Sequence, residues 1–274
     1  MKILHISDIH FRIQYEERKD DYGRMLRQMR NPLEKLDFCL EKAFSEHPGI
    51  DLVLISGDLC EDGKAADYEA LRGFLEHHLG PIPVEVTLGN HDRKAEFWKG
   101  WMGLKKNEIV YNKMLPLDEL TILSMDSSCY GNSNGEILDE TVQWLAEAIR
   151  ESQNVPILLM THHHFLDDHE SIPAVKCPQE LKNLIQNTNI HTILCGHTHH
   201  CFEGTFLGKS YYTADCMSFY GTNLIPGLVK FEEKYGYNYY ETRNGHVIRS
   251  CQNTYSDNQV ISVVDWRNQA TGIR

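Results

Sequence analysis

Short apolar runs alternate along the chain with stripes of helical period. Ile3 to Ile6, Leu52 to Ile55, Val84 to Leu88, Thr121 to Met125, Ile157 to Met160 and Thr192 to Cys195 each have the length of a buried strand. Between them, apolar residues recur three and four positions apart. Leu33, Leu36, Leu40, Ala43 and Phe44 share one helix face, as do Tyr68, Leu71, Leu75 and Leu79. Val142, Leu145 and Ile149 mark a third helix with Asp139 as its N-cap, and Pro178 starts a fourth carrying Leu181, Leu184 and Ile185. This alternation predicts an α/β fold with a largely parallel sheet covered by helices.

Beyond residue 200 the pattern changes. FEGTFLGKSYYTA and GLVKFEEKYGYNYYET read as antiparallel hairpins with Gly208 and Gly236 near their turns, so a second sheet is expected. The run VISVVDW fits either a strand packing back on the body or part of a tail over 255–274. No linker, repeat or low-complexity block breaks the chain, which predicts one domain over residues 1–274.

Composition narrows the class. A chain that is 41% hydrophobic and 24% charged reads as neither disordered nor membrane-bound. No apolar run approaches the ~20 residues of a membrane helix. The opening MKILHISDIHF is interrupted by His5, Ser7 and Asp8, so it reads as a first strand rather than a signal peptide, and a cytoplasmic protein is expected. Eight scattered cysteines without a C-x-x-C spacing are expected to be free buried thiols. A formal net charge of -12 argues against a nucleic-acid partner, since non-specific binding rests on Lys and Arg meeting phosphates.

The chemistry lies just past the strands. The first gives Asp8-Ile9-His10, the second Gly57-Asp58, and the third Gly89-Asn90-His91-Asp92. The run ending at Met160 gives His162-His163-His164, and the last gives Gly196-His197-Thr198-His199. Any one of these is a common turn or cap. Five together bring carboxylates, imidazoles and an amide to the carboxyl ends of strands, where α/β sheets bind ligands. A metal site accounts for all five at once.

The ordered motifs DIH, GD, GNHD, a His after a strand, and GHTH resemble those of the calcineurin-like metallophosphoesterases, over residues 3 to about 200. Within that family the chain is most similar to the bacterial class III cyclic nucleotide phosphodiesterases. The resemblance implies a four-layer α/β/β/α sandwich with two mixed β-sheets. It implies one metal held by Asp8, His10, Asp58 and His199, and a second by Asp58, Asn90, His162 and His197, with Asp58 bridging. His163 is the alternative to His162. Carboxylate and imidazole suit two divalent ions, Mn, Fe or Zn. Two such ions, two carboxylates and a bridging hydroxide sum to about +1, so an anionic ester is attracted despite the acidic surface. His91 would stabilise the phosphoryl charge and protonate the leaving oxygen, while the bridging hydroxide attacks in line. Asp92 would cap the turn rather than orient His91.

The departures bear on substrate. Glu61 stands where purple acid phosphatases carry tyrosine, and GDLCEDG lacks the arginine of the phosphoprotein phosphatases. The expectation is a phosphodiesterase acting on small esters, nucleotides among them. The alternatives are a phosphomonoesterase, an SbcD-like nuclease and, more remotely, a non-catalytic scaffold. The C-terminal strands offer an edge for a homo-oligomer, though no residue requires one. Residues 93–106 fit an amphipathic helix with inward aromatics and solvated lysines, or a base-stacking surface. Residues 17–30 fit a solvated helix or a flap in which Asp20 to Gly23 is loop. His164 and His169 are expected at the surface or rim.

Overall fold

The structure is a computed structural model and describes residues 1–152, 155–166 and 172–268. In chain order the elements are β1 (Lys2–Ile6), α1 (Asp21–Gln28), α2 (Pro32–Glu46), β2 (Leu52–Ser56), α3 (Ala65–Leu79) and β3 (Val84–Thr87). Then come α4 (Lys94–Gly100), β4 (Lys113–Pro116), β5 (Thr121–Ser124), α5 (Asp139–Glu151) and β6 (Ile157–Met160). The remainder is α6 (Gln179–Asn187), β7 (Ile190–Cys195), β8 (Phe202–Phe206), β9 (Lys209–Thr213), β10 (Tyr220–Ile225), β11 (Leu228–Arg243) and β12 (His246–Asp265).

These strands form two mixed sheets, as the family resemblance implied. The first runs β10-β11-β1-β2-β3, with β12 also on β11; the second runs β4-β5-β6-β7-β9-β8. In the first, β1, β2 and β3 are parallel and the long C-terminal strands join antiparallel. In the second, β5, β6, β7 and β9 are parallel, with antiparallel β4 and β8 at the edges. The continuous apolar runs follow from burial on both faces. Ile3, Leu52, Leu54, Leu158, Met160 and Leu194 meet between the sheets. Their neighbours Leu4, Val53 and Ile55 face α2 and α3 instead, while Leu159 and Ile193 face α5 and α6. The layers are therefore helix, sheet, sheet, helix.

Several local expectations are corrected. GLVKFEEKYGYNYYET is one strand, not a hairpin, and Gly236 lies mid-strand. A Cβ there would collide with the Asn253 carbonyl on β12, so glycine permits a close backbone approach rather than a turn. The turn falls at Asn244–Gly245, both at positive φ. VISVVDW is strand as far as Asp265, so no tail begins at 255; residues 269–274 lie outside the described residues. Asp20 is the N-cap of α1, its carboxylate accepting from Gly23 N at 2.7 Å, so Asp21 to Gly23 are helical rather than loop. Asp139 is the first residue of α5, behind an N-cap at Leu138, and Pro178 is the N-cap of α6. All eight cysteines are free, but only Cys39, Cys60, Cys195 and Cys216 are fully buried.

In α4, Phe97 and Trp98 are buried, as an amphipathic helix requires. Lys94 is not solvated: its ammonium is buried and pairs with Asp126 at 2.8 Å. A second buried pair joins Lys35 of α2 to Glu233 of β11, and the same ammonium bonds the Ser218 carbonyl. Removing one partner strands a buried charge. Lys35→Met is expected to lower stability by ~3–5 kcal/mol in urea unfolding.

Candidate metal centre

The ends of β1, β2 and β3 in one sheet and β6 and β7 in the other converge, so the cleft lies between sheets. Backbone bonds hold the loops together: Asp8 N to Gly57 O (3.1 Å), His10 N to Asp58 O (2.8 Å) and Gly196 N to His162 O (3.0 Å). Side chains cross the gap as well. His197 N donates to Asp8 Oδ2 (3.0 Å), and His162 Nδ1 donates to Ser56 O (2.7 Å). Gly57, at φ +96°, is where His162 lies against the backbone; a Cβ there would sit 2.5 Å from its Nδ1. Asp8, His10, Asp58, His197 and His199 all hold φ between +48° and +68°. Non-glycine residues resist that region, and such strain concentrates at functional sites.

Ligand-type atoms gather in overlapping groups. Asp8, His10 and His199 form one; Asp8, Asp58 and His162 another; His162, His163 and His197 a third. Asp58 Oδ2 lies 3.5 Å from His10 Nε2 and 3.3 Å from His162 Nε2. His199 Nε2 lies 3.3 Å from Asp8 Oδ1. Three imidazoles have Nδ1 tied to oxygen: His10 to Glu61 (2.6 Å), His162 to Ser56 O (2.7 Å) and His199 to Phe219 O (2.6 Å). Their Nε2 atoms are thereby left for the centre, the usual arrangement of metal-ligating histidine.

The fit to cations is visible in atoms that the protein leaves unsatisfied. Asp8 Oδ1, Asn90 Oδ1, His162 Nε2 and His197 Nε2 are buried and make no hydrogen bond among the described residues. Buried polar atoms are costly without partners, and four around one cleft match a site for cations. Electrostatics agree. Burial, joined by the neighbouring imidazoles, holds His163 and His197 well below the usual imidazole range. Burial pushes Asp58 up, but the surrounding imidazoles outweigh it and hold its carboxyl well below the usual range.

His91 differs from its neighbours in being 27% exposed. Its backbone N–H donates to Asp58 Oδ1 at 2.8 Å, and its Nδ1 lies 3.2 Å from Glu61 Oε2. Burial lowers its pKa, but Glu61 and Asp58 more than offset this and raise it to about 10; divalent ions would oppose that rise. Asp92 caps the turn through Gly89 N (2.9 Å) and also accepts from Leu59 N, Cys60 N and the Tyr68 hydroxyl. It binds the second and third strand-end loops together.

The structure brings Asp8, His10, Asp58, His162, His197 and His199 together and buries Asn90 at the same turn, with His91 at the mouth. His163 also faces the group, its Nδ1 paired with the Ser127 hydroxyl at 2.9 Å. His164 is fully buried, not at the rim, and its Nε2 meets Ile172 O at 3.0 Å. His169 lies outside the described residues. Glu61 was legible in the sequence only as the absence of a tyrosine. Here it is 3% exposed and faces two histidines.

A sequence model of calcineurin-like phosphoesterases matches residues 1–201. A cAMP/cGMP dual specificity phosphodiesterase of Mycobacterium tuberculosis is 28% identical over 211 residues, 75% of this chain and 64% of that protein. The chain thus spans less than two thirds of that relative's length. A glycerophosphodiester phosphodiesterase of Enterobacter lignolyticus is 29% identical over 211 residues, 73% of this chain and 71% of that protein. Among solved structures, a dimetal phosphatase from Danio rerio superposes with a TM-score of 0.51 at 11% identity, covering 84% of this chain and 94% of that one. That likeness establishes the shared fold of two mixed sheets flanked by helices.

Proposed function

The chain belongs to the calcineurin-like phosphoesterase family, and from that premise we propose that it hydrolyses small phosphodiesters with two divalent metal ions. The observation that carries the reading is the set of buried ligand atoms around Asp58 that make no hydrogen bond among the described residues. Asp8, His10, Asp58 and His199 would hold one ion; Asp58, Asn90, His162 and His197 the other. His162 is preferred to His163 because its Nε2 faces Asp58 Oδ2 at 3.3 Å. Such ions supply Lewis-acid polarisation of the phosphoryl oxygens and a nucleophile at neutral pH. His, Asp and Asn admit Mn, Fe or Zn.

The protein's own part is to position and to move a proton. Nδ1 of His91 lies 3.2 Å from Glu61 Oε2, and the ring is 27% exposed. A protonated His91 can neutralise the phosphoryl charge and give its proton to the departing alkoxide. The named relatives support a diester: one acts on cyclic nucleotides and the other on glycerophosphodiesters. The reading takes the chain as one catalytic domain. Free cysteines suit a reducing compartment such as the cytoplasm. No helix among the described residues is long and apolar enough to cross a membrane.

The test is hydrolysis of bis-p-nitrophenyl phosphate and p-nitrophenyl phosphate by metal-stripped protein refilled with Mn²⁺. Faster turnover of the diester is expected. Preference for the monoester would move the reading to a phosphatase with the same centre. Asn90→Ala is expected to weaken one ion and lower activity in parallel, which Mn²⁺ titration of activity would detect. Activity that falls without any change in Mn²⁺ dependence would remove Asn90 from the ligand set.

A further inference from the structure

A continuous run of aromatic rings leads from the metal cleft to the protein surface. The Phe219 ring lies 4.7 Å from that of His199 and 5.2 Å from that of His10. Tyr22 of α1 comes next, 6.0 Å from Phe219 and 6.4 Å from His91. Trp266, in the short turn after β12, stands 5.8 Å beyond Tyr22. Packing under α1 is met by Phe219, Phe231, Met25 and Val264, which are buried together, whereas Trp266 keeps 39% of its surface exposed. Its backbone is nonetheless fixed, with its N–H on Gly227 O at 2.8 Å. Phe219 and Trp266 also lie beyond residue 201, outside the stretch that the family model matches. A second exposed ring belongs to the loop after β5. Tyr130 is 44% exposed, and its loop is tied to the turn that carries His91 by Gly131 N on Asn90 O at 2.9 Å. Asp62 joins the two sides. Its N–H donates to His91 O at 3.1 Å, and its carboxylate interacts with the Arg18 guanidinium, 3.8 Å away, and with the Tyr130 side chain.

We propose that Trp266 and Tyr130 form a stacking subsite at the mouth of the cleft, which selects phosphodiesters whose esterifying alcohol carries a planar aromatic or heterocyclic ring. The proposal rests on the phosphodiesterase reading above. A diester seated with its phosphorus in the metal centre and an ester oxygen at His91 carries its remaining atoms outward past Tyr22, toward the two exposed rings. Stacking on them needs no particular hydrogen-bond pattern, because every such ring has a π-face. The cations at the rim favour a neutral ring over a second phosphate. Arg18 is already paired with Asp20 at 3.0 Å and with Asp62, and its guanidinium lies 5.6 Å from the centre of the Tyr22 ring. The Arg93 guanidinium lies 5.9 Å from the centre of the Tyr130 ring in the same way, an arrangement that holds cation and ring together. Trp and Tyr have two side-chain torsions each, so they give up little freedom when a ring settles on them. An alcohol without a flat face, such as glycerol, gains nothing from this rim.

The test uses two diesters that differ only in the ring: the methyl ester of adenosine 5′-phosphate and the methyl ester of ribose 5-phosphate. In the Mn²⁺-loaded wild type, KM for the adenosine ester is expected to lie ~10-fold or more below that for the ribose ester, with similar kcat. Trp266→Ala and Tyr130→Ala should each raise KM on the adenosine ester by ~10-fold and narrow the gap between the two esters. Trp266→Phe keeps a flat face and should restore most of that gap. Binding gives a readout apart from turnover: the adenosine ester should quench the indole emission of the wild type, and the quench should shrink in Trp266→Phe. Equal KM for the two esters in the wild type, or a KM that rises alike on both in the alanine variants, would overturn the subsite. A wild type that hydrolyses neither these esters nor bis-p-nitrophenyl phosphate would instead sink the phosphodiesterase reading, and the quench would still decide whether the ring stacks on Trp266.

Discussion

An Asp58→Ala variant is expected to lose both metal ions and all measurable hydrolysis. Asp58 Oδ2 is within 3.5 Å of His10 Nε2 and within 3.3 Å of His162 Nε2, so one oxygen faces both ligand groups. Its other oxygen accepts from His91 N at 2.8 Å, which sets the turn that carries Asn90 and His91. Removing the carboxylate takes away the shared anion that two adjacent cations need. It also leaves buried imidazoles facing one another across the cleft. The loss should exceed the ~10–100-fold typical of an outer-shell partner. Metal content after dialysis and activity after Mn²⁺ loading measure it. Retention of two ions by Asp58→Ala would show that the residue is not the bridge.

His91→Ala should behave in the opposite way: both ions stay, and turnover falls by ~10²–10⁴. The ring is the exposed member of a buried set, 27% accessible where Asp8, His10 and Asp58 are nearly closed to solvent. That exposure suits a group that meets substrate rather than metal. The loss should be greatest for a poor leaving group, because an alkoxide needs the proton more than p-nitrophenolate does. Unchanged turnover on an alkyl diester would remove His91 as the acid.

The buried strands and their C-terminal residues were legible because both faces of β1, β2, β6 and β7 are covered. Burial on both faces writes an uninterrupted apolar run, and each run ends at a polar cluster. The exposed or short elements were not. β4 has a half-exposed, mixed sequence without a clear period, whereas α1 does carry a helical stripe, Tyr22, Met25, Leu26 and, at its C-cap, Met29, set among charged residues that obscured it. β11 was misread because Gly236 looks like a turn until its partner strand is known, and only β12 reveals the close backbone approach. His164 was misjudged because its burial comes from packing between loops, not from its own strand. Glu61 was hidden for a related reason. An acid in a turn reads as solvated unless the histidines that surround it, 51 positions before and 30 after in the case of His10 and His91, are already placed in space.

The central claim is that this cleft holds two cations through a shared Asp58. Calorimetric titration of the metal-stripped protein with Mn²⁺, with diester hydrolysis followed in the same samples, tests it most directly. The expected result is two bound ions per chain, with activity rising as the second site fills. Saturation at one ion per chain, or hydrolysis undiminished in the stripped protein, would contradict it.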